Sequence, residues 1–247
     1  MIMQYVVLIV NTIMLDDITI AIKTFLRPQK LDNCLNSIRK LYPGVKIIVA
    51  DDSHKPVENK MADEYYTLRF DSGISAGRNL LLSKVTTPYI LLLDDDTLFT
   101  QSDCIEKMIQ PMLDQPEINL VAGSLVGNDY YGTYEKSGDT LIRYFNKPSR
   151  SIGHYKIYDF VINLFLAKTE AIRRVGWNDE LKICEHTNFF FRGRDKLVCT
   201  VADDTSFVND NNHGGCEYNI YRNDRRQLYI EKQFNSLDVV GFKDIQS

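Results

Sequence analysis

The run Pro88-Tyr-Ile-Leu-Leu-Leu93 is apolar to its last residue and then stops at three consecutive aspartates, Asp94-Asp95-Asp96. A short continuous apolar run bounded by polar residues is the pattern of a strand buried on both faces of a parallel sheet. The same pattern occurs once before, where Val45-Lys-Ile-Ile-Val-Ala50 ends at Asp51-Asp52-Ser53. Strands buried on both faces need helices on both faces, which restricts the chain to an α/β architecture.

The neighbouring segments keep that rhythm. Ile18-Thr-Ile-Ala-Ile-Lys-Thr-Phe25 is a β-rich run, and Leu31, Leu35, Ile38 and Leu41 then recur at helical spacing up to Pro43-Gly44. Ser75 to Lys84 reads as a helix with Ser75 as candidate N-cap. Ser102 is the candidate cap of another, with Ile105, Met108, Ile109 and Met112 on one face, and Ile118-Asn-Leu-Val-Ala122 is a fourth strand. Alternating strands and helices with short links imply right-handed crossovers onto a mostly parallel sheet, whose ligands bind beyond the carboxyl ends of the strands. Both acidic clusters fall there.

After Gly123 the rhythm loosens. Residues 127–160 are rich in Tyr, Gly, Asn, Lys and Arg, and the apolar run Phe160-Val-Ile-Asn-Leu-Phe-Leu-Ala167 follows. A short helix from Thr169 to Val175, a helix near Glu185 to Lys196 and a strand near Leu197 to Val201 complete this half. The C-terminal residues, about 30 of them, alternate Tyr with Arg and Lys, the composition of a mobile or ligand-covering segment.

Composition excludes several classes. With 33 acidic against 29 basic residues and a net charge of -4, the chain lacks the basic footprint of a nucleic-acid binder. Cys34, Cys104, Cys184, Cys199 and Cys216 are odd in number and widely spaced, with no C-x-x-C pair, so neither a disulfide framework nor a zinc knuckle is indicated. A reducing, cytoplasmic setting fits best. Residues 1–17 are apolar but broken by Gln4 and Asn11, lack a basic n-region and fall short of a spanning helix. They read as a leader packed on the domain, or as a weak peripheral contact with the inner membrane surface. No repeat or linker divides the rest, giving one domain over 18–215 and a C-terminal extension over 216–247.

Three adjacent buried carboxylates repel one another and resist ionising, so Asp94-Asp95-Asp96 calls for a counter-charge. A hard divalent cation supplies one, and such a cation often completes its shell with substrate phosphate oxygens. A solvated acidic turn is the plainer alternative. Asp51 and Asp52 suit either turn capping or hydrogen bonding to a ribose hydroxyl or a base N–H. Gly73-Ile-Ser-Ala-Gly-Arg-Asn79 sets Arg78 at a helix start, a place for phosphate or a nucleobase carbonyl, although glycine-bearing helix starts are frequent. His213, in Asn209-Asp-Asn-Asn-His-Gly-Gly215, is a metal ligand or a surface histidine. Glu185 or His186, ahead of Phe189-Phe190-Phe191, is a general base, or Glu185 merely caps the helix. His54 and His154 show no partner.

The succession Thr19-Ile-Ala-Ile-Lys-Thr-Phe-Leu-Arg27, Ile48-Val-Ala-Asp-Asp-Ser53, Ala76-Gly-Arg-Asn79, Val85 to Asp96 and Val161-Ile-Asn-Leu-Phe-Leu-Ala167 resembles family-2-like glycosyltransferases of the glycosyltransferase-A fold. It is especially similar to β-1,4-N-acetylgalactosaminyltransferase catalytic domains. The resemblance runs in order from about residue 18 to about residue 192. It implies a Rossmann-like three-layer sandwich with a mostly parallel central sheet, a nucleotide half over 18–123 and an acceptor half over 124–215. It also implies inverting transfer of a hexosamine such as GalNAc or GlcNAc, or of a hexose, from a UDP-sugar to a hydroxyl of a glycan or glycolipid, with Mn²⁺ or Mg²⁺.

Position by position, the resemblance sets Thr24 and Arg27 near the nucleotide and Asp51 or Asp52 on the uracil. Arg78 falls on base or phosphate, Asp94 and Asp95 at the ribose and metal waters, and Asp96 and His213 on the metal, with Asp210 competing for the last place. Many such enzymes carry a Glu-Asp pair where this chain reads Glu185-His186, and the GalNAc-transferring relatives carry a glutamate where it reads Asn188. Glu185 is the expected base and His186 the runner-up. Tyr130, Tyr131, Tyr134, Tyr144, Tyr155 and Tyr158 suit stacking on sugar faces, or packing on the sheet.

Two other classes compete. A sugar nucleotidylyltransferase uses a similar sheet but needs a Gly-rich phosphate loop, which Thr24-Phe-Leu-Arg-Pro28 lacks. A non-catalytic nucleotide- or glycan-binding relative is favoured by the missing aspartate after Glu185.

Overall fold

A computed structural model describes residues 14–210 and 216–246. The first strand, β1 (Ile18–Thr24), is buried along its whole length, Lys23 and Thr24 included. Helix α1 (Pro28–Leu41) starts with proline in its first turn, where the missing N–H costs nothing, and buries Leu31, Cys34, Leu35 and Ile38. Strands β2 (Lys46–Asp51) and β3 (Glu64–Thr67) follow, the second a half-exposed edge too polar for the apolar pattern to reveal.

Helix α2 (Ile74–Lys84) begins one residue before Ser75, and its N-cap is Gly73 at φ 96°. Ser75 is not a cap; its hydroxyl donates to the Leu181 carbonyl at 2.6 Å. Strands β4 (Tyr89–Asp94) and β5 (Thr97–Phe99) precede α3 (Cys104–Asp114), whose N-cap is Asp103 rather than Ser102. Then come β6 (Leu120–Leu125), the hairpin of β7 (Gly132–Ser137) and β8 (Thr140–Phe145), and a second hairpin of β9 (Arg150–Ile152) and β10 (Tyr155–Ile157). The loosened stretch is therefore short antiparallel strands. After it come β11 (Phe165–Lys168), α4 (Thr169–Arg173), α5 (His186–Gly193), β12 (Cys199–Asn209), α6 (Cys216–Asn219), a π-helical turn (Ile220–Asp224), α7 (Arg226–Leu237) and β13 (Gly241–Gln246).

The main sheet has the order β3-β2-β1-β4-β11-β6-β12-β5. Pairings β3/β2, β2/β1, β1/β4 and β6/β12 are parallel, whereas β11 runs antiparallel to both neighbours and β5 antiparallel to β12. The register sets Thr24 opposite Asp51 and Lys23 opposite Asp94, so β1, β2 and β4 end level.

Side chains alternate across the sheet with period two. Ile18, Ile20, Ile22, Leu91 and Leu93 join the core beneath α1 and α3, while Ala21, Ile90 and Leu92 join the core beneath α2, α4 and α5. The result is three layers. No helix among the described residues is long and apolar enough to cross a membrane. Most of the leader lies outside the described residues.

Candidate active site

The alternation that sorts the core also sorts the acids. Leu91 and Leu93 face α1, and Asp95 continues on that side; Ile90 and Leu92 face α2, and Asp94 continues on that one. In β2 the same rule sends Asp51 toward the α1 side and Asp52 toward the α2 side. Two clusters result, one on each side of the strand ends.

On the α1 side, Asp95 is 0% exposed, accepts from the Thr24 hydroxyl at 2.7 Å and pairs with Arg27. The other end of the Arg27 guanidinium donates to Asp96 Oδ2 at 3.0 Å. Burial pushes the Asp95 carboxyl up to about 6 against the pull of Arg27, and the neighbouring Asp96 and Asp94 add to the rise. Arg27 itself is desolvated, yet Asp95, Tyr218, Asp96 and Asp94 hold it above its ordinary value. Asp51 is spent locally: its Oδ1 accepts from the Ser53 backbone and hydroxyl, its Oδ2 from the Tyr65 hydroxyl at 2.6 Å.

On the α2 side a cavity of about 250 Å³ opens. Asp52 reaches it while bonded to Lys23 and to the Gly73 N–H at 2.7 Å. A Cβ at residue 73 would lie 2.5 Å from the Lys182 Cα, so only glycine brings that N–H to Asp52. Asp94, 39% exposed, faces the cavity with its Oδ1 2.8 Å from Arg78 Nη2.

Arg78 is 1% exposed and does not line the cavity. Its Nη1 donates to Glu185 Oε1 at 2.6 Å, so one guanidinium bridges two carboxylates. Asn163 Nδ2 adds a bond to the same Oε1 at 3.1 Å. Glu185 occupies the N-cap position of α5 but makes no side-chain cap bond; the capping alternative is not realised. Its Oε2 carries no hydrogen bond among the described residues.

His186 Nε2 lies 2.6 Å from the Val161 carbonyl, which fixes the ring as an Nε2–H donor. Its Nδ1 is buried without a hydrogen-bond partner among the described residues. Burial, with Arg78 and Arg143 adding to it, lowers the imidazole to about 3, so it is neutral and a weak base at ordinary pH.

The opposite wall comes from the C-terminal segment. Tyr218, Tyr221, Arg222, Arg225 and Arg226 line the cavity at helical spacing. Phe25, Phe70 and Tyr221 form an aromatic cluster with ring centroids 5.4–5.8 Å apart, and the Arg27 guanidinium lies 4.2 Å from the Tyr218 ring centroid. Arg225 grips Asp71 with two bonds of 2.8 and 2.7 Å, and Lys182 pairs with the same carboxylate. Burial works against the Asp71 charge, but Arg225 and Lys182 hold the carboxyl below its usual range. Leu26, Asp71 and Cys184, three of the non-glycine residues with positive φ, all lie in the loops around the cavity. Strained backbone concentrates where side chains must be aimed.

A site at the carboxyl ends of β1, β2 and β4, walled by acids, arginines and aromatic rings, is matched by the family model described as glycosyl transferase family 2, over residues 19–211. The chain belongs to glycosyl transferase family 2.

The mouse β-1,4 N-acetylgalactosaminyltransferase 2 is 44% identical over 188 residues, covering 73% of this chain and 37% of the relative. The rat β-1,4 N-acetylgalactosaminyltransferase 1 is 35% identical over 196 residues, covering 73% and 36%. The chain thus spans little more than a third of the length of these relatives. Among solved structures, S. aureus TarS 1–349 in complex with UDP-GlcNAc superposes with a TM-score of 0.60 at 13% identity, covering 87% of this chain and 63% of the TarS 1–349 chain. TarS 1–349 in complex with UDP gives 0.54 at 14% identity, covering 77% and 59%. These likenesses agree with the glycosyltransferase-A-type three-layer sandwich expected for a family 2 chain.

Of the residues singled out in the sequence, the fold brings Arg27, Asp52, Asp94, Glu185 and His186 to the cavity wall. Thr24, Asp51, Arg78, Asp95 and Asp96 stand behind it, held by protein partners. Asp210 is buried, with Oδ2 accepting from Asn33 at 2.9 Å, and His213 lies outside the described residues. Among the described residues no group of three His, Cys, Asp or Glu side chains could hold a metal ion. The carboxylates of Asp94, Asp95 and Asp96 face arginines instead.

Tyr130, Tyr131, Tyr134, Tyr144, Tyr155 and Tyr158 do not reach this cavity. Tyr130 and Tyr134, for example, pack against Phe160, the first edge to face and the second tilted. Asn188 is buried and donates to Ser236 at 2.8 Å, tying α5 to α7. Lys23, Asp71, Lys182 and the arginines of the C-terminal segment also line the cavity, with Asn163 beside Glu185, none of them marked by a motif in the sequence. A spacing signal for the arginines was present: 218, 221, 222, 225, 226 and 229 is one face of a helix.

Proposed function

We propose that this family 2 chain is a catalytic domain that transfers a sugar from a UDP-sugar to a hydroxyl of a glycan or glycolipid, with inversion at the anomeric carbon. One observation carries the reading: a single cavity joins an aromatic wall, a cationic rim and Glu185, a clamped carboxylate with one oxygen left open. The names of the mouse and rat relatives support an N-acetylhexosamine as the transferred sugar, and the UDP-GlcNAc held by TarS supports a uridine donor.

The chemistry follows from the contacts. Phe25, Tyr218 and Tyr221 give a flat nucleobase a surface to stack on, and Asp52, with lone pairs beyond those used by Lys23 and Gly73, accepts from a base N–H. Arg78 and Asn163 fix Glu185 through Oε1, so that Oε2 faces the acceptor hydroxyl. Glu185 takes the proton as the hydroxyl oxygen bonds to the anomeric carbon, and the bond to the diphosphate oxygen breaks with its electron pair leaving on the diphosphate. One displacement from the opposite face inverts the centre, in contrast to the two-step covalent route of retaining enzymes. His186, neutral and bonded to Val161, orients the start of α5.

Mn²⁺ or Mg²⁺ at Asp96 and His213 is a separate part of the proposal, supported by the resemblance of Asp94-Asp95-Asp96 to the family's acidic motif. The described residues do not by themselves fit a cation, because Arg27 already occupies Asp96. Titration of UDP with and without EDTA, on the wild type and on Asp96→Asn, tests it: a shift in melting temperature that needs both Mn²⁺ and Asp96 supports the metal, and an EDTA-insensitive shift overturns it.

For the reaction itself, UDP must bind and a UDP-N-acetylhexosamine must be consumed with a glycan acceptor. No binding of UDP by calorimetry would overturn the reading. UDP binding without transfer or hydrolysis would favour a non-catalytic relative, a reading to which the engagement of Glu185 by Arg78 lends some weight.

A further inference from the structure

The charges around the cavity do not cancel. Each of its acids has a cationic partner: Asp52 has Lys23, Asp71 has Arg225 and Lys182, and Asp94 and Glu185 share Arg78 from behind the wall. Arg27 is consumed by Asp95 and Asp96. Two cations on the wall are left over, Arg222 and Arg226, both exposed and four residues apart on one face of the C-terminal segment. Among the described residues Arg222 bonds only to the Tyr218 phenol, and Arg226 makes no hydrogen bond or ion pair.

We propose that Arg222 and Arg226 are the residues that receive the diphosphate of the nucleotide sugar. The proposal rests on the uridine-donor reading above and adds the part of the chain that recognises the anion. Two guanidinium groups with no hydrogen-bonded carboxylate among the described residues, Arg222 sensing Asp94 only through space, offer forked donors to phosphate oxygens, and two positive charges match the two negative charges of a sugar-linked diphosphate. The aromatic rings Tyr218 and Tyr221 stand on the same face of the segment, so the surface that stacks the base also presents the cations.

The segment is held in place independently of these two arginines. Arg225 is locked to Asp71, Gln233 donates to the carbonyl of Cys184 next to Glu185, and Leu237 and Val239 pack with Leu141 of β8. Removing Arg222 and Arg226 therefore takes away charge without removing an anchor.

Calorimetric titration of UDP and of uridine separates this proposal from the reading beneath it. The double variant Arg222→Ala/Arg226→Ala is expected to lose UDP affinity on the order of 100-fold, with uridine affinity unchanged within about twofold and the melting temperature of the free protein retained. Arg222→Lys/Arg226→Lys restores part of the loss. Equal UDP affinity in wild type and double variant overturns the proposal and leaves the donor reading intact. Parallel loss of uridine and UDP also overturns it, since the segment would then act through structure rather than charge. Failure of the wild type to bind UDP overturns the donor reading itself.

Discussion

Glu185 and Asp94 are held by the same guanidinium: Arg78 donates through Nη1 to Glu185 at 2.6 Å and through Nη2 to Asp94 at 2.8 Å. Since Asp94 ends β4 and Glu185 precedes α5, one buried cation joins the first half of the chain to the second at the point where the chemistry is proposed. Removing it leaves the buried Glu185 carboxylate without a counter-charge, its Asn163 bond alone remaining. Arg78→Met is expected to cost about 3 kcal/mol of stability in urea unfolding, the cost of breaking a buried ion pair on one side. Arg78→Lys, which cannot reach both acids with two separate nitrogens, is expected to fall between.

Glu185→Gln keeps the bonds to Arg78 and Asn163 but cannot take a proton. Transfer is expected to fall about 10²- to 10⁴-fold while UDP affinity is retained, measured by initial rates beside calorimetry. Unchanged transfer would remove Glu185 from the base role.

His186 sets a slope in the acid range. Its folded value of about 3 lies below the ordinary 6.5, so its contribution is fully present above about 6.5 and is lost as the pH falls from there toward 3. His186→Gln is expected to lower stability at pH 7 through lost ring packing, yet to flatten the decline between pH 6.5 and 4 in a series of urea melts. An unchanged decline in the variant would show that other groups carry it.

Asp95 works in the opposite sense. Its folded value is raised from the ordinary 3.8 to about 6, so the stability linked to its protonated form is present below about 3.8 and lost as the pH rises through 6. Asp95→Asn keeps an oxygen for Arg27 and removes the buried charge. Relative to wild type, the variant is expected to gain stability between pH 4 and pH 6 and to level off above that; a constant difference would contradict the shift.

Gly73→Ala meets two obstacles at once, φ 96° and a Cβ 2.5 Å from the Lys182 Cα. A destabilisation of about 2 kcal/mol is expected, with weakened UDP binding because the N–H that steadies Asp52 is displaced. Thermal melts and calorimetry on the same sample check both.

The three layers were legible because apolar runs on both faces leave little else for a chain to do. The acids were legible as clusters but not as individuals. Which of Asp51 and Asp52, or of Asp94 and Asp95, meets the cavity depends on counting alternation back from Leu93 and Ala50, a rule available in the sequence once the helices are assigned to faces. The C-terminal segment alternates Tyr with Arg and Lys in composition, but its spacing is helical, which gathers the arginines on one face. Lys23, Asp71, Asn163 and Lys182 could not have been found, because each gains its role from partners at least 22 residues away in sequence.

The last strand, β13, runs parallel to β8 on the small sheet, beyond α7. The arginine-bearing segment is therefore a span moored at its far end and clipped near its middle by Asp71, not a loose tail. For the proposed nucleotide ligand, release is expected to require buckling of this span between its moorings, at the pace of that local deformation. Loosening the mooring at β13 should thus shorten the residence of the spent nucleotide without touching a single residue that contacts it.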